Sequence, residues 1–380
     1  MPEDRINGLA ERIMRHRRLP LLLAAALAVP AATALAGCGQ AGTTSTTTVA
    51  PTTTISTLPV YHRRQIAFYR GVSEPRPESW QGMVNDKQEL LGDGINAVAI
   101  DPPVLIAQRG GLLPREILTG EAANAPNIIR QLHAAGLAVF LDPSTKSPGL
   151  SPSFEATAPI LSELNDDAVK WADTAEKEQA ELFAPLDDYN LVLGTAGANN
   201  WSKQVLPLIR QKYHGPLVAK VVPDLSGQPP APGVPHDFEA LDFHGYDYLM
   251  LDIYPCGAKF DQKAFSAYVE DVLDRAAAVA RRDGLKGVMI GDFGAWRHDV
   301  TGLVRQGPLL SEQEQASMAA AFLMQVIPRT QGVFYHGWTL PGRGAKGHQV
   351  EGVLKKYFTQ ALGETAPAAT GQGKPNGSTP

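Results

Sequence analysis

Short apolar segments alternate with longer stretches of helical periodicity over most of this chain. The apolar segments are almost continuous in aliphatic and aromatic residues, as expected of parallel strands that are covered on both faces. They occur at residues 65–69, 97–100, 137–141, 182–186, 217–222, 248–253, 287–290 and 332–335. Because eight parallel strands are the number that closes a barrel, the pattern predicts an α/β fold built as a single (β/α)8 TIM barrel.

The gaps between these segments carry the periodicity of amphipathic helices. Residues 261–284 have apolar side chains at steps of three and four, with Asp261 placed to cap a helix and Gly284 to end it. The same spacing covers residues 127–135, 157–180 and 311–327. Residues 225–235 are rich in proline instead and are predicted to form a loop at the top of the barrel.

Residues 1–37 have the order of a secretory signal peptide. Three arginines precede an apolar run at residues 21–36, which is too short and too interrupted by proline for a membrane-spanning helix. The run closes on Leu-Ala-Gly-Cys38, which resembles a bacterial lipobox. That resemblance implies that Cys38 is lipidated and anchors the chain to the cell membrane on its extracytoplasmic side. An ordinary signal peptide with a nearby cleavage site is the alternative, and Met14 is an alternative start to Met1.

Two further segments lack the apolar side chains that a core needs. Residues 38–60 are rich in Thr and Ser and are predicted to be a flexible linker, and residues 364–380 are predicted to be a disordered tail. Residues 61–363 lie between them without an internal linker. They are therefore predicted to form one domain, somewhat larger than the roughly 250 residues typical of a TIM barrel.

Charge and cysteine content narrow the classes of partner. The chain has 34 basic and 39 acidic residues, and removal of residues 1–37 leaves 29 against 36, a net charge of about −7. An acidic surface argues against nucleic acid as a partner.

With Cys38 acylated, Cys256 has no partner for a disulfide, so stability is expected to come from the core. No cofactor is predicted.

The candidate site residues are those that end the predicted strands, because the active site of a barrel forms at the carboxyl ends of its strands. The polar and aromatic residues at or just after these ends are Arg70, Asp101, Asp142, Asp187, Asp188, Asp224, Asp252, Tyr254, Asp292, His336 and Trp338. Carboxyl groups supply general acid–base catalysis, and aromatic rings stack on the CH faces of sugars.

Two of these strand ends resemble the catalytic motifs of the clan A glycoside hydrolases. They are Phe183-Ala-Pro-Leu-Asp-Asp188 and Met289-Ile-Gly-Asp-Phe-Gly294, and residues 61–362 resemble the family 113 endo-mannanases and families 5 and 53. In that clan an Asn-Glu pair at strand four supplies the acid/base, and a glutamate at strand seven, often followed by Phe-Gly, is the nucleophile. The resemblance implies Asp188 as acid/base and Asp292 as nucleophile or base, with Asp187 in the asparagine position.

The chain departs from the clan by carrying aspartate at both glutamate positions. Each change withdraws the carboxyl by roughly 1–1.5 Å, a misplacement that can cost on the order of 10²-fold in rate. Retaining enzymes hold the two carboxyls about 5–5.5 Å apart, and inverting ones hold them about 6.5–9.5 Å apart. Two shorter side chains on opposite sides would increase the distance between the carboxyls, and this distance distinguishes the two mechanisms. Inversion, weak retention and no catalysis are all compatible with two aspartates.

Two function classes follow from the resemblance. The first is a cell-surface O-glycosyl hydrolase that acts on a β-linked polysaccharide or oligosaccharide. The second is a catalytically silent TIM-barrel lipoprotein that binds envelope or environmental glycans. In either case the predicted substrate-binding residues are Arg70, Asp187, Asp252, Tyr254, Trp296, His336 and Trp338, with the two tryptophans as sugar platforms.

Other interpretations of the same residues stay open. Asp188 and Asp252 fit the strand-four and strand-six aspartates of the α-galactosidase-like barrels. Asp187 and Asp188 are also compatible with a role as caps of the following turn, and Asp292 with a structural carboxylate bonded to loop amides. Glycines on both sides of Asp292, at positions 291 and 294, allow close backbone approach and favour a site residue there.

Metal and phosphate chemistry have weaker signals. No His-x-His pair occurs in the chain, and the spacing of His236 and His244 is weak evidence for a ligand pair, so no metal site is predicted. The glycine-rich residues 341–348 follow the eighth strand and include Arg343 and Lys346, which could hold an anionic group. A solvated loop is the alternative.

Overall fold

The computed structural model describes residues 61–104, 122–145, 158–231, 233–255, 259–297 and 307–361. The predicted signal peptide, linker and C-terminal tail, together with Cys38 and Cys256, lie outside these residues. Within them, none of the helices combines the length and the apolar character that crossing a membrane requires.

Eight parallel strands form one closed sheet. They are β1 (Tyr69–Glu74), β2 (Ala97–Ile100), β3 (Ala138–Leu141), β4 (Leu182–Phe183), β5 (Val218–Val221), β6 (Tyr248–Ile253), β7 (Gly287–Phe293) and β8 (Gly332–His336). Neighbours in the chain are neighbours in the sheet from β1 to β4 and from β5 to β8, and β8 pairs with β1. A parallel bridge between Phe183 and Leu217, the residue before β5, closes the ring. The predicted TIM barrel is confirmed.

Helices follow most of the strands. They are α1 (Trp80–Asn85), α2 (Lys87–Gly92), α3 (Ala125–Ala134), α4 (Ala158–Lys177), α5 (Tyr189–Arg210), α6 (Gln262–Asp283), α7 (Glu312–Val326) and α8 (Gln349–Gln360). The predicted ends of α6 are confirmed, because Asp261 accepts a hydrogen bond from the amide of Ala264 and Gly284 adopts a left-handed conformation. Between β5 and β6, the described residues form only a 3-10 turn at Asp237–Ala240.

The first strand begins later than the sequence indicates. Residues 65–69 are the predicted strand, whereas β1 runs from Tyr69 to Glu74. The residues before it are held by side-chain contacts at the amino ends of the strands. The ring of Tyr61 stacks on His133 with 3.7 Å between ring centroids, and Arg63 donates a hydrogen bond of 2.7 Å to the carbonyl of Ala180.

The barrel interior changes from apolar to polar along the strands. Near the amino ends and the middle it is filled by an apolar cluster that includes Phe140, Val218, Met250, Met289 and Phe334. Because successive side chains alternate between the two faces of a strand, the residue two places further on also points inward. At several strands that residue is polar, namely Asp142 after Phe140, Lys220 after Val218, Asp252 after Met250 and His336 after Phe334. The period of two therefore gathers polar groups at the carboxyl end.

Candidate active site

Lys220 lies at the centre of the carboxyl end of the barrel. Its ammonium nitrogen is 2.6 Å from Oδ2 of Asp142, 2.8 Å from Oδ1 of Asp187, 2.9 Å from Oδ2 of Asp292 and 3.4 Å from Oδ2 of Asp252. The lysine side chain is only 1% exposed. We call these five residues the Lys220 cluster. It joins the ends of β3, β4, β6 and β7 to one cation contributed by β5.

The free-energy cost of burying a charge explains why these five side chains lie together. An isolated buried ammonium or carboxylate is strongly disfavoured unless it is paired and hydrogen-bonded. Burial alone would lower the pKa of Lys220, but the surrounding aspartates, with Asp142 the strongest, raise it well above its usual value. Lys220 therefore stays protonated. The acids respond unequally, since burial raises the pKa of Asp142 and Asp252 well above the ordinary aspartate range despite the nearby lysine.

Asp292 lies at an irregularity in the strand pairing of β7. The partners of Ile290 and Phe293 on β6 are Leu251 and Ile253, so two residues of β7 lie opposite one of β6. The pairing of β7 with β8 shifts at the same place. A bulge of this kind re-aims side chains and is common beside active sites.

Three side chains bind the Asp292 carboxylate. Ser73 donates a 2.6 Å hydrogen bond to Oδ1, and Oδ2 lies 2.9 Å from the Lys220 nitrogen and 3.1 Å from Nδ1 of His336. The hydroxyl of Tyr254 lies 3.3 Å from the same His336 nitrogen. Burial would raise the pKa of Asp292, but Lys220 and then His336 hold it well below its usual range. Asp292 is ionised.

Asp188 has the opposite protonation behaviour. Burial, followed by the charge of Asp187, raises its pKa well above the usual aspartate value. Its backbone is left-handed, with φ +47° and ψ +41°, a conformation that is uncommon outside glycine. It occupies the N-cap position of α5, yet its side chain makes no capping hydrogen bond. A structural role as a cap does not account for this carboxyl.

Asp188 also lies close to two members of the Lys220 cluster. Asp187, Asp188 and Asp252 each bring one carboxylate oxygen within 4.8 Å of the others. Three such oxygens are the kind of ligands that a divalent cation prefers. The ammonium of Lys220 supplies positive charge to two of them directly, at 2.8 Å from Asp187 and 3.4 Å from Asp252. The strand-four and strand-six pair of the alternative interpretation is thus also close in space.

Two predicted substrate-binding residues lie where they do not face the mouth. Arg70 was expected after the first strand but is the second residue of β1, and its Nε donates to the carbonyl of Gly94 at 2.7 Å, toward the amino end. Trp338 is fully buried, and its indole N–H donates to Oδ2 of Asp86 at 3.0 Å. A fully buried ring offers no face to a sugar, so the expected platform at Trp338 is corrected.

Trp296 and Tyr254 form a different aromatic arrangement. Both are half-buried, and the guanidinium of Arg343 lies between them, 4.3 Å from the ring centre of Trp296 and 4.6 Å from that of Tyr254. Cations over aromatic faces are attracted by the ring quadrupole. The glycine-rich loop that carries Arg343 is therefore packed onto this stack, and its Lys346 pairs with Asp86 at 2.6 Å.

The two remaining carboxylates at the rim, Asp101 and Asp224, have different surroundings. Asp101 is buried beside the Lys220 cluster, where its charge contributes to the raised pKa of Asp142 and Asp188. Asp224 lies apart from the cluster and pairs with His236, with 2.9 Å between Oδ2 and Nδ1. Asp242, His244 and Asp283 form a second group of possible metal ligands among the described residues, on the amino side of β6.

Lys220 and Ser73 are the site residues that the sequence analysis missed. Lys220 interrupts the otherwise apolar segment 217–222 at an inward position, two residues after Val218. A lysine on the buried face of a strand requires carboxylate partners, and that requirement was the available signal. Ser73 gave no comparable signal, because the strand itself begins later than predicted.

Comparisons with known proteins agree on the architecture. No protein-family model matches this sequence, and no curated protein matches it. Among solved structures, the family 113 β-mannanase from Alicyclobacillus acidocaldarius is 14% identical with a TM-score of 0.57, and the match covers 78% of this chain and 99% of that one. An endo-β-1,4-mannanase from Thermotoga petrophila is 9% identical with a TM-score of 0.54, covering 78% and 77%. An endoglucanase from Thermotoga maritima is 14% identical with a TM-score of 0.52, covering 77% and 96%. The chain therefore has the barrel fold of the family 113 and family 5 glycoside hydrolases.

Proposed function

We propose that this protein is a glycoside hydrolase that acts on a β-linked polysaccharide, with Asp188 as the general acid and Asp292 as the ionised partner. One observation carries the proposal. Asp188, which follows β4 at the N-cap of α5, and Asp292 in β7 lie at the same barrel mouth, and their surroundings drive their pKa values apart, upward for Asp188 and downward for Asp292. Such a divergence is how one site holds an acid and a base at the same pH.

Each residue then has a defined task. Asp188, protonated, donates its proton to the glycosidic oxygen as the bond to the anomeric carbon breaks. Asp292, ionised, either attacks the anomeric carbon or removes a proton from the attacking water. Lys220, Ser73 and His336 orient Asp292 and keep it ionised. Trp296 and Tyr254 are aromatic side chains near this mouth that keep some exposure for a sugar.

A silent glycan-binding barrel is the second candidate, and one contact favours it. Asp292 is only 3% exposed and accepts from Lys220 at 2.9 Å, so its charge is already neutralised within the protein. A carboxylate held in this way is a weaker nucleophile than a free one. In this second proposal the Lys220 cluster stabilises the barrel mouth and the glycan binds above it without cleavage.

We infer that the protein is anchored to the cell membrane outside the cytoplasm. The lipobox-like residues 35–38 support an anchor at Cys38, followed by the linker at residues 38–60 and the barrel domain at residues 61–363. A lipid-anchored barrel outside the cytoplasm would meet polysaccharides of the envelope or the environment. Metabolic labelling with a fatty-acid analogue, compared with a Cys38→Ser variant, tests this part separately.

Hydrolysis assays test the activity. The chain without residues 1–37 is incubated with β-mannan, β-glucan, β-galactan and envelope glycans, and release of reducing ends is measured. Asp188→Asn and Asp292→Asn are expected to remove activity, and Asp173→Asn, at a partly exposed position on α4, serves as the matched control. Glycan binding with no turnover by the unmodified chain would support the silent barrel instead.

A further inference from the structure

A cavity lies at the opposite end of the barrel from the Lys220 cluster. It has a volume of about 610 Å³, in the range of small-molecule sites. Its basic and acidic lining residues are Arg63, Arg64, Arg210, His214, Asp247 and Lys286. All of these residues precede the strands that they adjoin, so the cavity opens at the amino ends of β1, β5, β6 and β7.

The cavity lining is predominantly cationic. Four of its side chains carry a permanent positive charge, and Asp247 is the single carboxylate among its described lining residues. That carboxylate is shared, since Oδ2 lies 2.7 Å from Nη2 of Arg210 and Oδ1 lies 2.8 Å from the Lys286 nitrogen. Arg63 and Arg64 pair with glutamates behind the lining, at 2.9 Å from Glu176 and 3.3 Å from Glu181.

Donor capacity remains after these pairs are made. A guanidinium has five N–H donors and an ammonium three. The Lys286 side chain is 60% exposed, so its nitrogen can turn toward a ligand. Tyr69 and Tyr248 also line the cavity, and burial raises the pKa of both, which keeps them protonated.

The carboxyl groups at this end have lowered pKa values, because neighbouring groups donate hydrogen bonds to them. Burial would raise the pKa of Asp247, but hydrogen bonds from Lys286 and Arg210 hold it below its usual value. Glu176 and Glu181 are likewise lowered against the effect of burial, by His214 and Arg63 for the first and by His133 and Tyr61 for the second. At the carboxyl end, by contrast, Asp142 and Asp188 are raised.

We propose that this cavity binds a phosphate group, either free or as the headgroup of an anionic lipid. Arginine forks match the oxygen geometry of phosphate, and a lysine adds a point charge. The cavity has room for more than one phosphate or for a phosphoglycerol group. The site is distinct from the proposed glycan cleavage, because the strands of the barrel separate the two ends. Cells could use it to hold this end of the barrel at a phospholipid surface or to bind a soluble phosphate compound.

The test uses the chain without residues 1–37 in two arms. Pyrophosphate is titrated by calorimetry, and flotation is measured with vesicles of phosphatidylglycerol and, for comparison, of phosphatidylcholine. Binding in at least one arm is expected, with about a tenfold weakening in Lys286→Glu, because one charge-assisted hydrogen bond is replaced by repulsion. Lys286→Arg retains the positive charge and is expected to bind like the unmodified chain.

A control variant distinguishes binding in the cavity from binding that depends only on the overall surface charge. Lys263 is an exposed lysine at the start of α6, on the carboxyl side of the barrel, and Lys263→Glu makes the same change of charge there. Binding to phosphatidylglycerol alone would identify a headgroup, and binding to pyrophosphate would identify a free phosphate. The proposal is overturned if neither binds, or if Lys263→Glu weakens binding as much as Lys286→Glu. Thermal unfolding of each variant confirms that it is folded.

Discussion

The ammonium nitrogen of Lys220 lies 2.9 Å from Oδ2 of Asp292, inside a barrel mouth where both side chains are almost completely buried. The same nitrogen contacts Asp187 on the opposite side of the mouth at 2.8 Å. One lysine thus connects the two strand ends whose motifs resemble the catalytic motifs of clan A. It fixes the position of Asp292 and supplies the charge that keeps this aspartate ionised.

Removal of this lysine is expected to destabilise the protein strongly. In Lys220→Met, four aspartates that now share a cation would be left without it at the barrel mouth. Breaking a buried ion pair by removing one partner costs about 3–5 kcal/mol, and we expect a loss of that size in urea unfolding near neutral pH. Lys263→Met, at an exposed position, is the control. A loss below about 1 kcal/mol would mean that the cluster is not a connected ion network.

Ser73 is expected to matter for both stability and activity. Ser73→Ala removes the 2.6 Å hydrogen bond to Asp292 and leaves one carboxylate oxygen unsatisfied, at a cost of about 1–3 kcal/mol. The pKa of Asp292 should rise, because this hydrogen bond helps to lower it. Ser202→Ala removes another buried hydroxyl, 3.2 Å from that of Tyr246, and should affect stability alone. Equal effects of the two variants on hydrolysis would argue against a role for Ser73 at the site.

Gly291 has no side chain, and the Lys220 cluster occupies the space that a side chain at this position would fill. A Cβ at this position would lie 2.3 Å from Oδ1 of Asp252 and 2.8 Å from Cε of Lys220. Gly291→Ala should therefore displace both side chains, costing about 1–3 kcal/mol in thermal or urea unfolding. Gly352→Ala, in α8 with open space around it, should instead stabilise by about 0.5–1 kcal/mol. A neutral Gly291→Ala would show that the barrel mouth is loosely packed.

His236 provides a test of pH dependence outside the site. Burial would lower its pKa, but Asp224 and then Asp271 raise it above the value of about 6.5 expected in an unfolded chain. The stabilisation is then complete below about pH 6.5 and is lost as pH rises through the raised pKa. His236→Gln should lower the unfolding free energy more at about pH 6 than at about pH 9. A cost of His236→Gln that grows with pH would contradict the ion pairs.

The barrel was predictable because its signals are local. Apolar runs and three-to-four spacing along the chain, such as those of residues 248–253 and 261–284, do not depend on distant partners. The carboxylates at the strand ends were predictable for the same reason, since Asp142 and Asp292 stand directly in or after their strands. Start and end points were less predictable, as β1 shows, because contacts of Tyr61 and Arg63 with distant residues decide where pairing begins.

The roles of individual site residues depend on contacts that are remote in the chain. Trp338 is fully buried, and its indole N–H donates to Asp86, which lies 252 residues earlier. Lys220 meets four aspartates from four different strands, and the bulge that presents Asp292 arises from pairing with β6 and β8. The alternation of inward and outward side chains along β5 is sufficient to show that Lys220 points inward. Its four partners can be identified only once the strands are arranged in the closed barrel.

The most direct measurement is the hydrolysis of β-linked polysaccharides by the unmodified chain, by Asp188→Asn and by Asp292→Asn. We predict cleavage by the unmodified chain and a loss of at least about 10²-fold in each variant, because each removes one of the two proton-handling groups. Asp173→Asn should keep full activity. Cleavage that persists at the original rate in both Asp188→Asn and Asp292→Asn would contradict the assignment of this barrel mouth as the catalytic site.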